Sequence, residues 1–270
     1  MKKTLLYFGS FNPIHRGHLA LAEYAIERGL AEEVILIVSP QNPHKQSANL
    51  APEMDRFEMA EIACKGSKYP EQIKPSIIEF MLERPSYTVN TLRYLKENFS
   101  SQMEFSILMG CDLINTLERW REPDYILENF PILVYPRRGH QVEHFSDRIT
   151  LLEEAPLADF SSTEVRSAIE RGEPTEQMLP KEVEQYIRQK GLYSTAHRIT
   201  ALNQLIEAEP QNEALWLERG MCHYRRNEWG SALNDFRRTL EINPENQEAK
   251  QLTEMVQEIL AYRYTDIYNP

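Results

Sequence analysis

The stretch Gly9-Ser10-Phe11-Asn12-Pro13-Ile14-His15-Arg16-Gly17-His18 constrains this chain more than any other, because it sets two histidines three positions apart between an apolar run and an apolar-periodic segment. The run before it, Thr4-Leu5-Leu6-Tyr7-Phe8, does not alternate apolar with polar side chains, which predicts a strand buried on both faces. Gly9 ends that strand and leaves the space above it open. Leu19, Leu21, Ala22, Ala25, Ile26 and Leu30 then recur at helical spacing, so the histidines fall at or just before a helix N-terminus. Unpaired backbone N–H groups gather there and favour an anion. His15 and His18 add imidazole donors, and Gly17 permits close backbone approach. A phosphate-bearing ligand follows. The competing structural assignments are a helix cap for His18 and a satisfied surface role for His15. Metal binding is the weaker idea, since no nearby cysteine or carboxylate completes a ligand spacing.

Further along, Glu33 to Ser39 reads as a second core strand in a right-handed βαβ unit. Its end runs into Ser39-Pro40-Gln41-Asn42-Pro43-His44-Lys45, a loop shaped by two prolines that delivers a cation beside the first junction. Glu53 to Cys64 is predicted to be a helix in which Met54 and Met59 pack. Pro75 to Phe80, Glu104 to Met109 and Phe130 to Tyr135 are expected strands, with Ile149 to Leu152 and Leu157 to Phe160 as short final ones. Gly110 and Asp112 stand at the carboxyl end of a strand, the rim where open α/β sheets bind ligands. Asp112 is either a ribose acceptor or a cap for the following turn. Thr88 is either a ligand contact or an N-cap, and Trp120 either stacks on a planar ligand or packs in the core. Arg137 and Arg138 rank lower, as paired surface-turn arginines.

Ser161-Ser162-Thr163-Glu164-Val165-Arg166 is the second strong element: hydroxyls and early-helix N–H groups to wrap phosphate oxygens, with Arg166 as a charge-assisted donor. Ser161 and Glu164 also have capping-box spacing, which does not require Arg166 to face the same end.

These segments resemble a known family. His15 to His18 resembles the nucleotidyltransferase signature (T/H)xGH, and GSFNPIHRGH is similar to the opening of a bacterial nicotinate-nucleotide adenylyltransferase, with Asn12 where that family more often has aspartate. PHK, PSYTVNTL, GCDLINTLERW and SSTEVR match further segments in the expected order, so the resemblance covers about residues 3 to 193. It implies a Rossmann-like α/β fold, an open and mostly parallel sheet with helices on both faces. It also implies transfer of the adenylyl group of ATP to nicotinate mononucleotide, with magnesium carried mainly by ATP and pyrophosphate and no direct protein ligand. By that resemblance His18 and His15 are catalytic, and Ser10, Lys45, Ser161, Ser162, Thr163 and Arg166 bind phosphate. Gly9, Phe11, Gly110 and Asp112 contact the nucleotide, and Tyr87, Thr88 and Trp120 hold the pyridine end. The alternative within the class is preference for the amidated mononucleotide. A dehydrogenase dinucleotide site and a P-loop kinase both fit poorly, because neither glycine-rich spacing is present.

After Tyr193 the pattern changes to a small all-helical region, 194 to 270. Trp216, Gly220, Trp229, Ala232, Phe236 and Pro244 resemble one tetratricopeptide unit over Glu213 to Asn246, with Arg219 in place of a leucine. Residues 194–212 supply half a repeat before it, and Gln247 to Tyr262 a closing helix. Such a tail is expected to serve a homo-oligomer or a peptide partner, and it raises the alternative of an interaction protein carrying an inactive catalytic fold. The formal charge of −11 over 270 residues argues against a nucleic-acid-binding face. No run reaches membrane-spanning length, and the basic start leads into the signature and not into a cleavage site. Cytoplasmic residence is the expectation, with Cys64, Cys111 and Cys222 as reduced thiols.

Overall fold

A computed structural model describes residues 1–40, 50–83 and 86–265, with side chains to residue 261. The expected Lys45 loop, and Arg84 and Pro85 before Tyr87, lie outside the described residues. The chain divides into two compact units, one of Met1–Gln46 and Ala51–Gln189 and the other of Ser47–Leu50 and Lys190–Pro270.

In the first unit the order is β1 (Lys2–Gly9), α1 (Arg16–Glu27), β2 (Glu33–Val38), α2 (Glu53–Lys65), β3 (Ile73–Ser76), α3 (Ile78–Met81), α4 (Thr88–Phe99), β4 (Met103–Gly110), α5 (Cys111–Ile114), a 3-10 turn (Leu117–Arg119), α6 (Pro123–Asn129), β5 (Ile132–Tyr135), β6 (Thr150–Leu151), α7 (Ser162–Arg171) and α8 (Lys181–Lys190). Among the described residues six strands form one sheet, ordered β3-β2-β1-β4-β5-β6, and every pairing is parallel. The chain leaves β1 toward β2 on one side and returns to β4 on the other, so the strand order reverses between β1 and β4. Gly9 and Gly110 end the two strands on either side of that reversal.

The apolar runs become central strands because both faces are covered. Leu6, Ile37, Ile107 and Met109 pack with Val89, Leu92 and Leu95 of α4 and with Ile126 and Leu127 of α6. Leu5 and Leu36, adjacent in sequence and so on the opposite face, are also fully buried. Leu19, Leu21, Ala22 and Ala25 form the buried stripe of α1.

Three local expectations change. The third strand stops at Ser76, whose Oγ accepts the Ile78 N–H at 3.3 Å and turns the chain into α3; there Glu79 is buried and accepts from Thr91 Oγ1 at 2.9 Å. Leu157 to Phe160 is irregular, as Pro156 and Asp159 interrupt pairing, and β6 is only Thr150–Leu151. In α2, Met59 is buried but Met54 is 57% exposed; the large buried side chain of that helix is Arg56.

The second unit holds α9 (Thr195–Ala208), α10 (Glu213–Arg225), α11 (Trp229–Ile242) and α12 (Gln247–Thr265). Helices α10 and α11 approach closely at Gly220, where a Cβ would stand 2.6 Å from the Phe236 ring. Ala232, Phe236, Leu252 and Val256 are buried in this core. Arg219, the departure from leucine, donates to both oxygens of the buried Asp235 at 2.8 and 2.6 Å and lies 4.8 Å from the Trp216 ring centroid. No helix among the described residues is long and apolar enough to cross a membrane.

Candidate active site

The turn after β1 is built by Phe11. Its φ of 45° is unusual for a residue with a Cβ. Burial holds it there: the ring is 2% exposed and meets Tyr7 and His18 edge-on at 5.6 and 5.1 Å. A Cβ at Gly9 would come within 3.0 Å of that ring, so the space above the strand end is filled by Phe11 and is not open. Phe11 therefore has only its backbone left to offer a ligand. Gly17 admits Ala158, whose Cβ would lie 2.5 Å from an added methyl, and both residues line the cleft beside the histidines.

His15 is the N-cap of α1 and His18 its third residue. The His15 backbone N–H donates to His18 Nδ1 at 3.2 Å, so His18 takes part in the cap of α1. With Nδ1 accepting, the neutral ring carries its proton on Nε2. The two imidazoles stack at 3.7 Å with planes 25° apart, and Phe160 stands edge-on to His15 at 5.3 Å. Phe160 thus packs on a histidine, not in a strand. Burial pushes His15 down to about 3, helped by the Arg137 charge. Burial also holds His18 well below its ordinary value, reinforced by His15 and then Arg137. Both rings are therefore held neutral.

A small, open cleft lies against the pair, lined among others by Tyr7, Tyr135, Arg137 and Arg138. Arg137, ranked low from sequence, sits 3.5 Å from Asp112 Oδ1 and within 3.4 Å of the Tyr135 hydroxyl, which in turn lies 3.2 Å from that of Tyr7. Asp112 is not a cap: the N-cap of α5 is Gly110, and the missing Cβ there leaves room for the Asp112 carboxylate, 2.3 Å from where it would be. The carboxylate faces Arg137.

The second element closes on the first. Ser161 and Glu164 form the capping box, with the Ser161 N–H donating to Glu164 Oε2 at 2.6 Å. Ser162 Oγ donates to the Pro13 carbonyl at 3.0 Å, and Arg166 donates to the Asn12 carbonyl at 2.7 Å and to Thr163 Oγ1 at 3.2 Å. Arg166 therefore does face the same end as the box. Asn12 Oδ1 accepts the Ala51 N–H at 3.0 Å, which ties the turn to the start of α2.

The three pyridine candidates are not among the residues lining the histidine cleft. Tyr87 is the N-cap of α4 and Thr88 its first residue, so Thr88 is not the cap. Tyr87 and Trp120 are half-buried against one core cluster, and the Arg121 guanidinium lies 5.0 Å from the Tyr87 ring centroid. Sequence reasoning missed Tyr7, Tyr135 and Arg56. For Arg56 the signal was its place on the helical stripe shared with Met59, Ala60 and Ala63.

The cytidylyltransferase-like family profile matches residues 6–168. Two curated relatives carry the name "Probable nicotinate-nucleotide adenylyltransferase". That of Flavobacterium johnsoniae is 39% identical over 195 residues, covering 71% of this chain and 98% of the relative. That of Christiangramia forsetii is 37% identical with the same coverage. Among solved structures, Plasmodium falciparum nicotinic acid mononucleotide adenylyltransferase complexed with NaAD superposes with a TM-score of 0.61 at 18% identity, covering 72% of this chain and 98% of that one. The chain belongs to the cytidylyltransferase-like family and, within it, to the nicotinate-nucleotide adenylyltransferases.

Proposed function

We propose that this protein joins the phosphate of nicotinate mononucleotide to the α-phosphorus of ATP, releasing pyrophosphate and nicotinate adenine dinucleotide. One observation carries the assignment of parts: a stacked neutral histidine pair at the β1–α1 junction, bolted through Ser162 and Arg166 to the N-terminus of α7. The attacking atom is already an anionic phosphate oxygen, so the reaction needs no side-chain nucleophile or strong base. A new P–O bond forms at the α-phosphorus as the bond to the pyrophosphate oxygen breaks, and no proton must move. Catalysis then rests on alignment and on donors that meet charge at the transferred phosphoryl group. His18 Nε2–H is the leading donor, with His15 beside it.

Ser10, Lys45 and the Ser161-Ser162-Thr163 turn take phosphate oxygens, and Arg166 braces the first turn while adding positive charge. Gly9 and Phe11, through backbone, and Gly110 with Asp112 border the nucleotide; Arg137 joins them as a cation in the cleft. Tyr87, Thr88 and Trp120 receive the pyridine. Magnesium is assigned to the phosphates of ATP and to water, where it would shield their charge when bound. We place the catalytic part within residues 1–193, give the helices from 194 to 270 a separate task in self-association or peptide binding, and expect the protein in the cytoplasm.

The test is product analysis with ATP, magnesium and each mononucleotide side by side. Nicotinate adenine dinucleotide should form faster than the amide product. Faster use of the amidated substrate reverses the pyridine preference, and neither product refutes the assignment.

A further inference from the structure

Arg56 is fully buried in α2, at a position where an apolar side chain is the ordinary occupant. Among the described residues its guanidinium donates to four backbone carbonyls from three separate stretches of chain. Nη1 reaches Ser10 at 2.7 Å and Ser39 at 2.6 Å, Nη2 reaches Pro40 at 2.7 Å, and Nε reaches Ala51 at 3.0 Å. Ala51 is also held by Asn12 through its N–H, so the start of α2 is tied twice to the turn that precedes the histidines.

A buried cation keeps a large desolvation cost, and a methionine would fill similar space without it. What methionine cannot supply is a planar fork that holds several acceptors at fixed distances. Those acceptors are chosen by place. Ser10 follows β1 and opens the histidine turn; Ser39 and Pro40 follow β2 and open the segment that carries Lys45. Both stand on the carboxyl rim of the sheet, on adjacent strands. We propose that Arg56 is a positioning residue for adenylyl transfer: it sets the distance and angle between the turn that leads into the histidine donors and the turn that follows β2. This rests on the function proposed above. Arg56 needs no contact with substrate, since its hydrogen bonds run to backbone that carries the contacting groups.

The test is Arg56→Lys in the full chain, with folding and thermal midpoint measured first. Lysine keeps the charge, but its three donors radiate from one nitrogen, so it lacks the planar fork that reaches acceptors spread along Nε, Nη1 and Nη2. Turnover at saturation is expected to fall about 10²-fold, the scale of an ångström-sized misplacement, while KM for each substrate stays within about threefold. Arg56→Ala should regain turnover with added guanidinium at non-denaturing concentration, and not with methylammonium. A purely structural role lowers the thermal midpoint but leaves turnover per folded molecule near wild type, and that result overturns the proposal. If Arg56→Lys does not fold, Arg56→Ala folded with trimethylamine oxide decides: wild-type turnover there refutes a positioning role, and turnover restored only by guanidinium supports it. Wild-type protein that makes no dinucleotide defeats the proposed function instead, so the two failures are distinguishable.

Discussion

Acidification should open the catalytic unit through its histidines. His15 has a folded pKa of about 3 against an unfolded 6.5, so the folded state binds fewer protons than the unfolded one between those values. Its contribution to stability is complete above pH 6.5 and is lost as pH falls from there toward 3. Going from about pH 7.5 to about pH 5 protonates most unfolded imidazole and almost none of the folded ring, which removes about 2 kcal/mol for this residue. His18 is shifted the same way and adds a loss of the same sign. Amide hydrogen exchange in β1 and β4 reads the opening free energy of this unit apart from the helical tail. His15→Gln has no proton to gain at that position, so its loss over the same pH step should be smaller than wild type by about 2 kcal/mol. Equal losses in the two proteins would refute the buried neutral histidine, and with it the donor assignment.

Other expectations follow from single contacts. His18→Ala should lower turnover by about 10²-fold with a smaller change in KM, because its donor bond strengthens at the transition state; steady-state kinetics on folded protein check it. Trp120→Ala should weaken nicotinate mononucleotide binding by about 1–3 kcal/mol if the ring stacks on the pyridine, read by calorimetry. Gly17→Ala should destabilise the fold by about 1–3 kcal/mol, since the new methyl meets Ala158 at 2.5 Å, and chemical denaturation measures it. A chain ended after Tyr193 should keep turnover per folded molecule; its mass in solution shows what the helices contribute to assembly.

Much of the architecture was legible because it is written in local periodicity. Unbroken apolar runs gave β1, β2 and β4, and 3.6-residue spacing gave α1. The histidines were legible as a pair because a strand end and a helix start flank them. Where the expectation failed, tertiary contacts decided. Ile77 and Ile78 look like strand, but the Ser76 turn and the Glu79–Thr91 hydrogen bond draw them into α3. Gly9 looked like an opening above the strand end, yet Phe11 occupies that space, and only the folded chain brings it there. Arg137 looked like a surface turn residue because its neighbours Asp112, Tyr135 and Tyr7 come from three different strand ends. Arg56 was hidden for a related reason: its partners are carbonyls, which carry no residue signature.

The central claim is direct transfer between two phosphates, with His18 as a donor and never as a nucleophile. The stereochemical course at the α-phosphorus tests it most directly, using ATP made chiral there by sulfur substitution and nicotinate mononucleotide as acceptor. A single in-line displacement predicts inverted configuration in the dinucleotide product. Retention would require two displacements through an adenylylated side chain and would contradict the account.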